Sequence, residues 1–161
     1  MTADWDKSAL RDELARALST TLAELERAHE ASLEGATHEE AKPENDKDTR
    51  ALEQSYLARG QALRVAELRE GVAAVVAMPV RPANADAPIA LGVLVEVEEG
   101  KTKHAYFIAP EGGGTALAGG RVQVVTPKSP LGRALIGKYA GDELEVRLGD
   151  RVRELALLAV F

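Results

Sequence analysis

The sequence predicts an α+β protein: an antiparallel two-helix coiled-coil arm, then a small antiparallel β-sheet domain with one short helix. Three observations carry this. Composition switches near Gly71, from Ala, Glu, Leu and Arg to Val, Gly and Pro. Before the switch, apolar residues recur at steps of three and four, the helical period. After it, short β-branched runs are separated by turn residues, the pattern of strands in a sheet. Residues 1–71 are read as the arm, with its tip at about residues 35–48, and residues 72–161 as the head.

The first helix is expected from about Asp4 to Leu33, because Leu10, Leu14, Ala17, Leu18, Leu22, Leu25, Ala28 and Leu33 form one stripe. Gly35 is its expected stop, since glycine takes the left-handed conformation at little cost. The second helix is expected from about Pro43 to Glu70. Proline fits a first helical turn, where its missing N–H has no partner to lose. Leu52, Tyr56, Leu63, Ala66 and Leu68 are read as the stripe facing the first helix, and Gly71 as the stop. Two such helices joined by a short polar segment make a hairpin about 40 Å long at 1.5 Å per residue.

The head is expected to open with a strand at VAAVVAM (Val72 to Met78). Further strands are expected at IALGVLVEV (Ile89 to Val97), HAYFIA (His104 to Ala109), RVQVV (Arg121 to Val125), ELEVRL (Glu143 to Leu148) and RELALLAVF (Arg153 to Phe161). EEGK (Glu98 to Lys101) and LGDR (Leu148 to Arg151) read as hairpin turns, and EGGGTALAGG as a flexible loop. In SPLGRALIG, Ser129 can cap a short helix whose first residue is Pro130.

Composition removes several function classes. There is no cysteine, which excludes disulfides, thiol chemistry and zinc–thiolate sites and points to a reducing compartment. A net charge of −6 argues against broad binding to nucleic acid, which needs a basic surface. The N-terminal residues lack a signal-peptide pattern, and no run has the roughly 18 apolar residues of a membrane span, so a cytoplasmic protein is expected. Gly112 to Gly114 lack the Gly-Lys-Ser/Thr ending of a phosphate loop. His29, His38 and His104 lack metal-ligand spacing, and Ser129 is not in a nucleophile elbow.

The stretch TPKSPLGRALIGKYAGDELEV (Thr126 to Val146) resembles the C-terminal signature of the Gre transcript-cleavage elongation factors of bacteria. The matching residues are Ser129, Pro130, Arg133, Leu135, Ile136, Gly137, Lys138 and Asp142. KPENDKDTRALEQSYL (Lys42 to Leu57) resembles the Lys-x-Glu-Asn segment that opens the second arm helix in that family. The resemblance implies an FKBP-like head gripping the rim of the RNA polymerase secondary channel, with Lys128, Ser129, Pro130 and Arg133 as partner-binding residues. It also implies an arm that enters the channel toward the catalytic centre and the RNA 3′ end. The implied factor is monomeric when free. It is not itself an enzyme and has no cofactor of its own. Prolyl isomerase activity is not expected, because Tyr106, Phe107, Tyr139 and Phe161 are too few to line such a pocket.

In the family, acids at the arm tip help the polymerase hold its second magnesium ion and position the attacking water. Magnesium takes hard oxygen ligands. Carried over, the tip residues are Glu44 and Asn45, with Glu40 and Asp46 beside them, and Glu40 and Glu44 would share the polymerase magnesium. The family's companion Asp, three residues before the Glu, is replaced here by Ala41. Metal retention is thereby weakened, so the resemblance carries polymerase binding further than cleavage stimulation. Structural readings stand beside these: Thr37 and Glu40 fit a capping box, and Glu44 suits the positive end of a helix. Arg50, Arg59, Arg64 and Arg69 could attract RNA, or simply form a solvated face. The alternative functions are a channel regulator without cleavage activity and a structural coiled-coil adaptor, or a dimer through the Leu stripes.

Overall fold

The computed structural model describes residues 4–39 and 49–161. Helix α1 spans Lys7–Glu39 and helix α2 spans Thr49–Ala77. They pack against each other as the arm, with Arg69 Nη2 2.6 Å from Glu26 Oε1 and His29 Nδ1 3.4 Å from Gln61 Oε1. Asp6 opens α1, its Oδ1 accepting from the Ala9 N–H at 3.0 Å.

Two expected helix stops do not act as stops. Gly35 lies inside α1 with open space around it. A single exposed glycine costs a helix about 1 kcal/mol, too little to end one with a long stripe. Gly71 lies inside α2, and a Cβ there would come 2.6 Å from Glu111 Cγ. Its place is therefore a close approach between the helix and the head. The helix ends at Ala77, just before Met78-Pro79, because a proline disfavours helical backbone in the residue preceding it.

The strand expected at residues 72–78 is thus the last two turns of α2. Val65, Leu68, Val72 and Val75 continue at steps of three, four and three, and Val65 and Val75 are buried. That period outweighs the β-branched composition. The expected α2 stripe is corrected in the same way. The inward residues are Ala58, Gln61, Val65, Leu68, Val72 and Val75, whereas Leu52, Tyr56 and Leu63 are 57%, 63% and 61% exposed.

The head is one six-stranded sheet. Its strands are β1 (Leu94–Glu99), β2 (Thr102–Ile108), β3 (Ala116–Leu117), β4 (Val122–Val125), β5 (Glu143–Leu148) and β6 (Arg151–Val160). The order is β3-β4-β2-β1-β6-β5. All neighbours are antiparallel except β2 and β4, which run parallel with Phe107 opposite Val124. The expected flexible loop makes this possible. Residues 109–121 cross over and contribute β3, which pairs back on β4 and buries Leu117. Strand β1 starts five residues later than expected, because Gly92 takes φ +83 where a Cβ would meet the Pro79 carbonyl oxygen at 2.2 Å.

Strand alternation gives the sheet two buried faces. One carries Val95, Val97, Tyr106, Ile108, Leu155 and Leu157, which pack with Leu131 and Leu135 of helix α3 (Pro130–Leu135). The other carries Leu94, Phe107, Val122 and Val124, which pack with Leu10, Leu14 and Leu18 of α1 and Val75 of α2. The base of the arm is therefore part of the head's core. Polar contacts reinforce it: Glu13 accepts from the Ala118 N–H at 3.1 Å, Arg11 Nη1 donates to Met78 O at 3.3 Å, and the buried Lys7 donates to Arg81 O. Among the described residues, no helix is long and apolar enough to cross a membrane.

One charged group links β1 to β6. Arg153 donates to both oxygens of Glu99, at 2.9 Å and 2.6 Å, and to Tyr106 Oη at 3.3 Å. The hydrogen bond from Arg153 holds the Glu99 carboxyl below its ordinary value of 4.5. A carboxyl with a depressed folded pKa stabilises the protein above its unfolded pKa, and that contribution is lost as pH falls through the folded value. Glu99→Gln is therefore expected to lower stability by about 1 kcal/mol at neutral pH, since the pair is partly exposed. The gap to the parent chain should close in acid below the ordinary carboxylate range, as read from thermal melts along a pH series.

Candidate functional site

The α3 turn is built from its own sequence. Ser129 caps the helix: its Oγ accepts from the Gly132 N–H at 3.0 Å and donates to Thr126 O at 2.8 Å. Ser129 N–H also donates to Thr126 O at 3.1 Å, and Arg133 N–H to Ser129 O at 2.9 Å. Pro130 at the first helical position loses no hydrogen bond by lacking an N–H. Gly132 is fixed by space, since a Cβ there would lie 1.9 Å from the Thr126 carbonyl oxygen.

Leu131 and Leu135 anchor this helix in the core. After it, Gly137 N–H donates to Ile89 O at 2.9 Å and Ile89 N–H to Lys138 O at 2.8 Å, tying the segment to the start of the head. Asp142 Oδ2 then accepts from the Tyr139 N–H at 2.9 Å and closes the acidic turn before β5.

Of the four residues implied as partner contacts, Lys128, Pro130 and Arg133 are exposed, while Ser129 is half-buried with its hydroxyl engaged in the turn. Ser129 holds the backbone that presents the other three. Two further residues of the segment, Ile136 and Tyr139, are 37% and 46% exposed, and Lys138 is exposed between them. The surface of residues 128–139 is thus apolar side chains with three cations among them. The sequence carried a signal for Ile136: Leu131 and Leu135 are four apart and share the inward face, which turns their neighbour outward.

Glu40, Ala41, Glu44, Asn45 and Asp46 lie outside the described residues, as do Lys42, Pro43 and Asp48. The described parts of the arm place Glu39 at the end of α1 and Thr49 at the start of α2. Among the described residues, no three His, Cys, Asp or Glu side chains are grouped to hold a metal ion. Arg69 is paired with Glu26, whereas Arg59 and Arg64 are exposed.

Residues 85–160 match the family model "Transcription elongation factor, GreA/GreB, C-term". The head is thus similar to the C-terminal domain of the GreA/GreB elongation factors. The match takes in the whole Ser129–Asp142 segment and all six strands of the sheet. Among solved structures, the chain is similar to GreA factor homolog 1 (Gfh1) of Thermus thermophilus, at 16% identity and a TM-score of 0.40 over 91% of this chain and 94% of that one. Gfh1 of Thermus aquaticus gives 18% and 0.40 over 90% and 92%. A GreA/GreB elongation factor of Nitrosomonas europaea gives 18% and 0.36 over 58% and 78%. No curated protein matches the chain.

Proposed function

We propose that this chain binds bacterial RNA polymerase at its secondary channel, the head gripping the rim and the arm pointing its acidic tip at the catalytic centre. The supporting observation is the GreA/GreB-like head with a rigid Ser129-capped turn that presents Lys128, Pro130 and Arg133 outward. An apolar centre with cationic neighbours suits a partner surface that is itself apolar and acidic, and Arg is favoured at such contacts.

The chain acts as an accessory factor on this reading, not as an enzyme alone. Glu40 and Glu44 would offer carboxylate oxygens to a magnesium ion already held by the polymerase, with Asn45 and Asp46 alongside. Two metals together stabilise the attacking and leaving oxygens of an in-line displacement. Ala41 leaves the tip with fewer aligned carboxylates. A second reading follows from that residue: a channel binder that modulates polymerase without stimulating RNA cleavage.

The deciding experiment is RNA cleavage in stalled elongation complexes at fixed magnesium, with binding measured in the same sample. Acceleration that disappears in Glu40→Ala with Glu44→Ala supports the cleavage reading. Binding without acceleration selects the regulator. Pro130→Ala with Arg133→Ala is expected to weaken polymerase affinity about tenfold or more, by removing an apolar and a cationic contact together. Unchanged affinity in that variant would remove the docking model.

A further inference from the structure

Helix α2 carries two stripes on opposite sides. The inner one packs on α1. The outer one reads Leu52, Tyr56, Arg59 and Leu63, at steps of four, three and four, which is the seam spacing of a coiled coil. Its three apolar residues are each more than half exposed among the described residues. Soluble surfaces carry scattered apolar residues, but a regular seam on one helix face marks an interface.

The sequence around this seam is complementary to itself. Lay a second α2 antiparallel on the first, with Tyr56 of one copy opposite Arg59 of the other. Leu52 of each copy then meets Leu63 of its mate, and each guanidinium faces a tyrosine ring, a favourable cation–π arrangement. In an antiparallel pair related by a two-fold axis, like flanks face each other. On one flank Glu53 of one copy comes near Arg64 of the other, twice over. On the opposite flank Ser55 comes near Ala62, and these small side chains let the helices approach. Glu53, Arg59 and Arg64 enter no ion pair among the described residues, so all three are free to do this.

We propose that the outer stripe of α2 is the interface of a symmetric antiparallel dimer, in which two arms join side by side through their α2 helices. The pairing stands on the arm alone. Its consequence rests on the polymerase reading: an arm covered by a second copy cannot enter a channel that admits one hairpin, so the dimer is a resting form that must dissociate before docking. This departs from the monomer implied by family resemblance. The reason is that Leu52, Tyr56 and Leu63, expected to face α1, face solvent instead.

Sedimentation of the full chain without polymerase tests the pairing. The expected result is a mass that rises with concentration from 17.2 kDa toward twice that value. Leu63→Glu should raise the dimer dissociation constant by about tenfold or more, because it buries an unpaired charge at the seam. Glu53→Arg and Arg64→Glu should each weaken the dimer, and the double exchange should restore it. All three positions are exposed, so the circular dichroism of the variants should match the parent chain. A chain that stays at 17.2 kDa throughout, or a dimer indifferent to Leu63→Glu, overturns the proposal. A monomer whose polymerase affinity falls with Leu63→Glu also overturns it, and assigns the stripe to the channel wall. Dimer formation without any polymerase binding would leave the pairing intact and remove the polymerase reading.

Discussion

Gly132→Ala is expected to lower the melting temperature by roughly 10 °C, an effect comparable with losing a core leucine. The added methyl would sit 1.9 Å from the Thr126 carbonyl oxygen. No rotamer relieves a Cβ, and the obstacle is backbone. Either α3 moves away from Thr126 or the end of β4 moves with it. The first breaks the Ser129 cap, which closes on the Gly132 N–H and on the same Thr126 carbonyl. The second disturbs Val124 and Val125 in the sheet. Ser129→Ala is the calibrating variant, because it removes the cap without adding bulk and should cost about 1 kcal/mol. Thermal unfolding by circular dichroism separates the two. If Gly132→Ala melts no lower than Ser129→Ala, the turn is more yielding than its geometry indicates. On the docking proposal, the same variant should also lose polymerase affinity, since Pro130 and Arg133 ride on the displaced helix.

Leu14→Ala is expected to cost about 3 kcal/mol, in the usual range for a fully buried leucine. Leu14 has no exposed surface and packs in the cluster that holds Phe107, Leu117 and Val124 of the sheet. Gly112 stands over it, where a Cβ would come 2.8 Å from Leu14 Cδ1. The methyls of Leu14 therefore fill space that the glycine leaves, and truncation opens a cavity against rigid backbone. Leu33→Ala, on the exposed end of the same helix, should change stability by less than about 0.5 kcal/mol. Denaturant unfolding of both variants checks the contrast. Equal, small effects would mean that the arm base is not built into the head's core.

The fold was legible in the sequence where one period dominated. ELEVRL gave β5 at its observed limits because Leu144, Val146 and Leu148 alternate with charges. Ser129-Pro130 gave the start of α3 because capping chemistry is local. Reading failed where two physical signals competed. Between Leu52 and Leu63 of α2 the outward seam carries Leu52, Tyr56 and Leu63, whereas the inward positions include only the half-buried Ala58 and Gln61. Composition therefore pointed to the wrong side of the helix. At Val72 to Val76 the β-branched residues favoured a strand, but their spacing and the packing of Val75 kept the helix going. The parallel pairing of β2 with β4 has no local signal at all, because it depends on where a crossover brings the chain back.

The candidate site was legible in part for the same reason. The start of α3 at Ser129 and Pro130 is local and was legible. Ser129 was read as a contact, yet its hydroxyl is spent inside the turn. Ile136 and Tyr139 were left out because exposure of an apolar residue depends on what its neighbours bury. The carboxylates at Glu40 and Glu44 are recognised by resemblance and by position between two helices, not by any geometry in the described residues.

The margins of the sheet also decide how the protein behaves in a crowded solution. A strand at the border of a sheet offers unpaired N–H and C=O groups to any passing chain, which is the usual start of fibrils. Here one border is β3, two residues long, and the other is β5, whose outward positions carry Glu143, Glu145 and Arg147. A stub offers too few bonds to template growth, and charged side chains along a border strand resist being desolvated against another strand. The head is thus guarded against stacking strand on strand, and self-association is left to helices, where it stays reversible.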